Sequence, residues 1–310
     1  VRLITRSDLD GSVCAAILLE LGLVDEICYI HPKDLQDNNI EVSENDILAN
    51  VPYAEGCGLW FDHHSSEHER LNLKGKFNGA SKLLPSAAQV IYEYYADQPA
   101  FADKLKNFED LVKIAGMADS ARFRRSDILD PKGWVLLAFI ADPRTGLGYK
   151  RKFRISNLEL MKQLPELLRS RSAEEILALP DFKERVQVYH EETSRYSKLL
   201  KQHSRIEGDA IIIDFRGIDE IPVGNRFMEY FLYPEQNISI RVFDGKDKQF
   251  AMISIGHSIL NRTSAVNVGS LALKYGGGGH KQVGSCQVKY AEADKIVGDI
   301  LEVINADQKN

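Results

Sequence analysis

The chain has 310 residues, with 39 Lys and Arg against 45 Asp and Glu, a formal charge of −6. Hydrophobic residues make 44% and charged residues 27%, which excludes a collagen, a disordered chain and a disulfide-dependent mini-protein. The length predicts about two domains. No uncharged apolar run reaches the roughly 18 residues of a membrane span, so no membrane partner is expected. Mild acidity argues against a DNA-coating protein but leaves room for a local basic groove that takes short phosphorylated ligands. Cys14, Cys28, Cys57 and Cys286 are far apart and form no CxxC pair, so free thiols in a reducing compartment are expected. The opening VRLITRSD shows no basic segment leading into an apolar one, and a cytoplasmic protein is expected.

Val1–Thr5 is predicted as a strand ending in the polar turn Arg6–Gly11, followed by a helix, Val13–Leu21, closed by Gly22. Asp25–Ile30, Asp46–Leu48 and Gly58–Phe61 read as further strands, the last two each followed by polar residues. Strands alternating with helices predict an α/β fold with a mostly parallel sheet, whose chemistry gathers beyond the C-terminal strand ends. Arg6–Asp10, Asn50 and Asp62–His64 all fall there. Ser86–Tyr95 and Phe108–Ala118 are predicted helices, the second ending at Asp119 in a polar stretch. Trp134–Ala141 is apolar and breaks at Asp142-Pro143; Ser156–Ser170, interrupted by Pro165, and Ala173–Leu177 are short helices. Asp181–His203 is a long charged helix suited to connecting domains.

After Gly208 a smaller α+β domain is predicted, with strands at Ala210–Phe215, Ile238–Phe243, Gln249–Ile255 and Ser285–Tyr290 and helices at Val268–Lys274 and Asp294–Ile304. The domains are therefore drawn at residues 1–180, with a connecting helix at 181–207 and a second domain at 208–310. Phe227, Tyr230, Phe231 and Tyr233 form an aromatic cluster that reads as core packing before base stacking.

Asp8 and Asp10 form a DxD pair after the first strand, which by itself fits a solvated turn or a helix N-cap equally well. Asp62-His63-His64 also leaves a strand end and supplies oxygen and imidazole nitrogen, ligands suited to Mn²⁺, Fe²⁺, Co²⁺ or Zn²⁺. The bland reading is a surface histidine pair. Asp119 is a third candidate, or a plain loop carboxylate. Carboxylates converging on one sheet edge would raise one another's pKa, and a divalent ion would relieve that repulsion. Four glycines, Gly276–Gly279, precede His280 and Lys281. Such a run suits a backbone that approaches a ligand closely and presents N–H groups to anionic oxygens; a flexible surface loop is the alternative.

The order DLDG, DHH, AD and a distant GGGGH, spanning Val1 to Val288, resembles the DHH family of phosphoesterases with a C-terminal DHHA1-like domain. Its members include oligoribonuclease/pAp-phosphatase-type, RecJ-like and exopolyphosphatase-related proteins. The resemblance implies Asp8 as ligand of a first metal, and Asp10, His63 and Asp119 as ligands of a second. It further implies that His64 faces the scissile phosphate and that Asp62 orients a neighbouring imidazole. Gly277, Gly278, Gly279 and His280 would close over the substrate, with Arg262 and Asn267 gripping phosphate or base, and Lys281 and Arg241 as weaker candidates.

Two positions depart from the family pattern. Arg6 stands where a histidine is usual, and Asn50 where a bridging carboxylate is usual. Arg cannot ligate a metal, and Asn ligates only through a neutral oxygen. Three readings follow: one tightly held metal with Arg6 set against the phosphate; a substitute ligand such as His31 or His68; or a domain that binds without catalysis. The implied activity is hydrolysis of short single-stranded oligonucleotides or small nucleotide phosphates by metal-activated water, with His64, Arg6 and His280 stabilising charge on the phosphate. Mn²⁺ is the implied ion, Mg²⁺ or Co²⁺ its substitutes, with one or two ions bound. The alternatives are an exopolyphosphatase- or pyrophosphatase-like hydrolase and a non-catalytic nucleotide-binding protein. A homodimer stays open.

Overall fold

Five parallel strands organise the first part of the chain in the computed structural model, which describes residues 1–64, 77–148 and 152–307. They are β1 (Arg2–Arg6), β2 (Glu26–Ile30), β3 (Asp46–Ala49), β4 (Leu59–Asp62) and β5 (Gly79–Ser81), in the order β2-β1-β3-β4-β5. Leu3, Ile4 and Thr5 of β1 are all fully buried, because helices cover the faces of a parallel sheet and its central strands need apolar residues on both sides. The strand order reverses between β1 and β3, and in such sheets the crevice for ligands opens beyond the C-terminal ends at that point. β1 delivers Arg6 and Asp8 there, β3 delivers Asn50, and β4 ends on Asp62.

The chain divides into two compact units, one of residues Val1–Arg122 and Pro131–Val188, the other of Phe123–Asp130 and Tyr189–Asn310. In the first unit the helix Leu9–Glu20 is buried on nearly every side, since it packs against β1 and the helices Ala87–Ala96, Glu109–Asp119 and Asn157–Ser170. Gly11 lies inside this helix, in place of the tight turn expected. A β-carbon there would stand 2.1 Å from the Arg6 carbonyl oxygen, so the glycine is what lets the helix start against the end of β1. Pro165 does not interrupt its helix, which runs unbroken from Asn157 to Ser170. The proline lacks the N–H that would bond the Met161 carbonyl; the Tyr29 hydroxyl donates to that carbonyl instead, at 3.1 Å.

The second unit holds a mixed sheet, β10-β11-β9-β8-β7-β6. Its strands are β6 (Ser204–Glu207), β7 (Ala210–Asp214), β8 (Ile238–Asp244), β9 (Phe250–His257), β10 (Gly278–His280) and β11 (Val283–Lys289). One face packs Ile212, Ile240, Ile253 and Ile255 against Val268, Leu271, Val297 and Ile300 of two helices, Val268–Leu273 and Ala293–Asp307. β6 and β10 are strands that the sequence did not suggest. The aromatic cluster forms the short helix Met228–Leu232 and its flanks, with Phe227 and Tyr230 buried and the Tyr230 hydroxyl donating to the Gly256 carbonyl at 3.2 Å, a packing role as expected. Among the described residues no helix is long and apolar enough to cross a membrane.

Candidate metal centre

Asp10 lies in the first turn of the helix Leu9–Glu20 and points away from it, toward the start of the helix Ala87–Ala96. Its two oxygens accept the backbone N–H groups of Ala87 and Ala88, each at 2.9 Å. Even so, complete burial, together with the charges of Asp119 and Asp8, pushes the Asp10 carboxyl up to about 8. A carboxylate in this setting calls for a cation.

His63 follows directly on β4. Its Nδ1 lies 3.1 Å from the Leu84 carbonyl oxygen, an acceptor that makes Nδ1 the protonated nitrogen. Burial holds the imidazole below its ordinary pKa, so at neutral pH the ring is uncharged and Nε2 carries a lone pair. That nitrogen is buried without a hydrogen bond, 3.3 Å from Asp119 Oδ2 and 4.0 Å from Asp10 Oδ2. A lone pair with no donor, aimed at two carboxyl groups, is an arrangement that a cation completes. Ligand atoms about 2.1 Å from a shared ion sit roughly 3 to 4 Å apart, and the atoms of Asp10, His63 and Asp119 all fall within 4.8 Å of one another. The orphaned nitrogen, the acidic pair and these separations fit a divalent ion. Asp119 is the last residue of its helix, Glu109–Asp119, rather than a member of the following loop.

Asp8 and Asn50 stand beside this trio and engage each other. Asp8 caps the helix Leu9–Glu20, its Oδ1 accepting Gly11 N–H at 2.9 Å and Asn50 Nδ2 at 3.2 Å. Its Oδ2 faces Arg6 Nε at 3.3 Å. Asn50 takes a left-handed backbone (φ 57°) at the end of β3, a conformation Asn tolerates better than most residues, and its Oδ1 is buried without a hydrogen bond. Asp62 is fully buried and binds His64, accepting its backbone N–H at 3.0 Å and lying 2.8 Å from Nδ1. Burial opposes charge on His64, but the Asp62 hydrogen bond and the charges of Asp62 and Asp119 raise its pKa. Asp62 thus orients His64, while the Leu84 carbonyl orients His63.

His31 is exposed and its Nδ1 accepts Lys33 N–H in a helix cap, and His68 lies outside the described residues. Arg144 belongs to none of the sequence motifs. It sits in a turn, Pro143–Thr145, with Nε 2.7 Å from Asp142 Oδ1, and the charges of Asp8 and Asp119 act on it. The only signal was the Asp-Pro-Arg break after an apolar helix.

In the second unit the second half of the glycine run joins the sheet, while Gly276 lies in the preceding turn. Gly278–His280 form an edge strand antiparallel to β11. At Gly279 (φ 154°) a β-carbon would stand 2.2 Å from the Val283 carbonyl oxygen, so strand pairing itself demands a glycine; at Gly278 it would meet nothing. Gly277 also abuts β11. His280 and Lys281 are exposed. Asn267 caps the helix Val268–Leu273 through its oxygen, which accepts Ser270 N–H at 3.1 Å, and Arg262 Nε donates to the Ile259 carbonyl at 3.0 Å. Arg241 is paired with the fully buried Glu229 and bonded to the Arg226 carbonyl, a structural placement.

Among solved structures the chain is similar to the pGpG-specific phosphodiesterase PggH from Vibrio cholerae, with 40% identity over 99% of both chains and a TM-score of 0.83. An exopolyphosphatase-related protein from Bacteroides fragilis shares the fold at 12% identity, covering 100% of this chain and 93% of that one, with a TM-score of 0.59. RecJ from Thermus thermophilus in complex with Mn²⁺ shares it at 15% identity over 98% of this chain and 52% of its own, with a TM-score of 0.54. No protein-family model matches the chain, and no curated protein does.

Proposed function

The chain belongs to the DHH/DHHA1 family of phosphoesterases and is a metal-dependent enzyme of that class, and from this premise we propose that it hydrolyses short linear oligonucleotides, with pGpG the foremost substrate. The observation that carries the substrate is the 40% identity to PggH over 99% of both chains. Two carboxylates and one imidazole, Asp10, Asp119 and His63, would hold a single ion, and two hard oxygens beside one nitrogen favour Mn²⁺ with Mg²⁺ or Co²⁺ as substitutes. When bound, the ion supplies charge against the phosphate oxygens and lowers the pKa of a coordinated water.

The remaining work falls to side chains. Arg6, held by Asp8 through Nε, keeps its other guanidinium nitrogens for a phosphate oxygen. His64, biased toward its protonated form and fixed by Asp62, donates to the same developing charge. Asp8 and Asn50 support Arg6 and complete the wall of the site. The roles of Gly277, Gly278, Gly279, His280, Arg262 and Asn267 in gripping the substrate rest on the family resemblance. Incubation with Mn²⁺ and a panel of pGpG, other di- to pentanucleotides, pAp, cyclic dinucleotides and polyphosphate tests the proposal. Conversion of pGpG to mononucleotides is expected. Turnover of polyphosphate alone, or tight nucleotide binding with no turnover at high enzyme concentration, overturns it.

A further inference from the structure

Arg144 has the same local design as Arg6. Both set Nε against a carboxylate two residues away: Arg6 is ion-paired with Asp8 at 3.3 Å, and Arg144 donates to Asp142 Oδ1 at 2.7 Å. For Arg144 the anchor is rigid. Asp142 is nearly buried, caps the turn Pro143–Thr145 by accepting Arg144 N–H at 2.9 Å, and has its own carbonyl bonded by Thr145 Oγ1 at 2.8 Å. Among the described residues the terminal nitrogens of Arg144 have no hydrogen-bond partner, while the side chain keeps 51% of its surface exposed.

The turn Pro143–Thr145 follows the helix Gly133–Ala141, which packs against the helix Glu109–Asp119 that ends on Asp119. Surrounding protein works against the guanidinium's charge, but Asp142, Asp8 and Asp119 outweigh it and keep the group firmly protonated. Two of those three belong to the acidic edge that holds Asp10 and His63, so the cation stands in the field of the metal centre. A planar guanidinium with one nitrogen pinned and two free matches a phosphate group bidentately and loses little side-chain freedom on binding it.

We propose that Arg144 is a substrate-binding residue whose free guanidinium nitrogens take oxygens of a substrate phosphate beside the metal centre, with Asp142 as its positioning residue. The inference rests on the phosphoesterase reading above and adds a second guanidinium to it. The phosphate is either the bridging phosphodiester or a terminal 5′-phosphate, and pGpG compared with GpG distinguishes them.

Steady-state kinetics with Mn²⁺ on wild type and Arg144→Gln provide the test, with Mn²⁺ affinity and thermal stability measured on both. Loss of a charge-assisted contact is expected to raise KM about tenfold to a hundredfold, with kcat changed far less and Mn²⁺ affinity unchanged. A rise for both dinucleotides assigns Arg144 to the bridging phosphate; a rise for pGpG alone assigns it to the 5′-phosphate. A KM within about twofold of wild type for both substrates, with only stability lowered, overturns the inference and leaves Arg144 a structural partner of Asp142. Should the Gln variant not fold, Arg144→Lys carries the same test, since it keeps the charge but lacks the fork. Calorimetric binding of pGpG with Ca²⁺ in place of Mn²⁺ judges Arg144 independently of turnover. Failure of wild type to turn over either dinucleotide sinks the substrate reading alone, whereas equal pGpG binding by wild type and variant, or none by either, sinks the role of Arg144.

Discussion

The Arg6 guanidinium stands 3.3 Å from the Asp8 carboxylate, and Asn50 donates to the other oxygen of the same group at 3.2 Å. A guanidinium therefore faces the carboxylate that the family resemblance assigns to a first metal. One Mn²⁺ per chain is expected in calorimetry and elemental analysis of the wild type. Arg6→His with Asn50→Asp replaces the cation by a ligand and the amide by a carboxylate, and this double variant is expected to bind two. Two ions in the wild type would show that Arg6 yields its place to metal.

Binding of that ion should expel a proton. Asp10 retains its proton up to about pH 8 without a cation, whereas His63 is held below its ordinary value and is already neutral at pH 7. A ligand must be deprotonated to bind, so affinity for Mn²⁺ rises with pH up to about 8 and about one proton leaves at pH 7. Calorimetry in two buffers of different ionisation enthalpy measures it. For stability the sign is reversed: a carboxyl whose folded pKa is raised stabilises the metal-free fold at low pH and loses that contribution as pH climbs through about 8. The rise in melting temperature on adding Mn²⁺ is accordingly expected to be larger at pH 8 than at pH 5.

Asp62→Asn removes the charge that favours protonated His64 while preserving most of the volume of a fully buried side chain. Loss of such a supporting partner lowers activity by about 10- to 100-fold in comparable sites. Because the protonated imidazole is the proposed phosphate donor and its pKa falls in the variant, the alkaline limb of the pH–rate profile should move to lower pH. An unshifted limb would detach His64 from that role.

Gly279→Ala and Gly278→Ala separate fold from function in the glycine strand. The first drives a β-carbon into the Val283 carbonyl at a backbone angle that L-residues avoid, and a loss of about 1–3 kcal/mol is expected in chemical denaturation. The second meets open space, so stability should stay within about 0.5 kcal/mol of wild type. A raised KM in Gly278→Ala at unchanged stability then reports close approach of substrate to that backbone.

Local pattern in the sequence was enough for the alternation of strands and helices, and with it the parallel sheet and the edge where Asp8, Asp10, Asn50 and Asp62–His64 gather. Strands running the same way bring all their C-terminal ends to one side, so a polar residue after an apolar run is placed by chain direction alone. The motif order also carried the family. Only the tertiary structure decided which groups converge. Asp8 turns back to cap its own helix, whereas Asp10, two residues on, reaches Ala87 and Ala88 and meets His63 and Asp119. That difference depends on side-chain direction within one helical turn and on packing between elements distant in sequence. The same holds for the Met161 carbonyl satisfied by Tyr29, for glycines spent on strand pairing, and for the charges of Asp8 and Asp119 that act on Arg144 from distant parts of the chain.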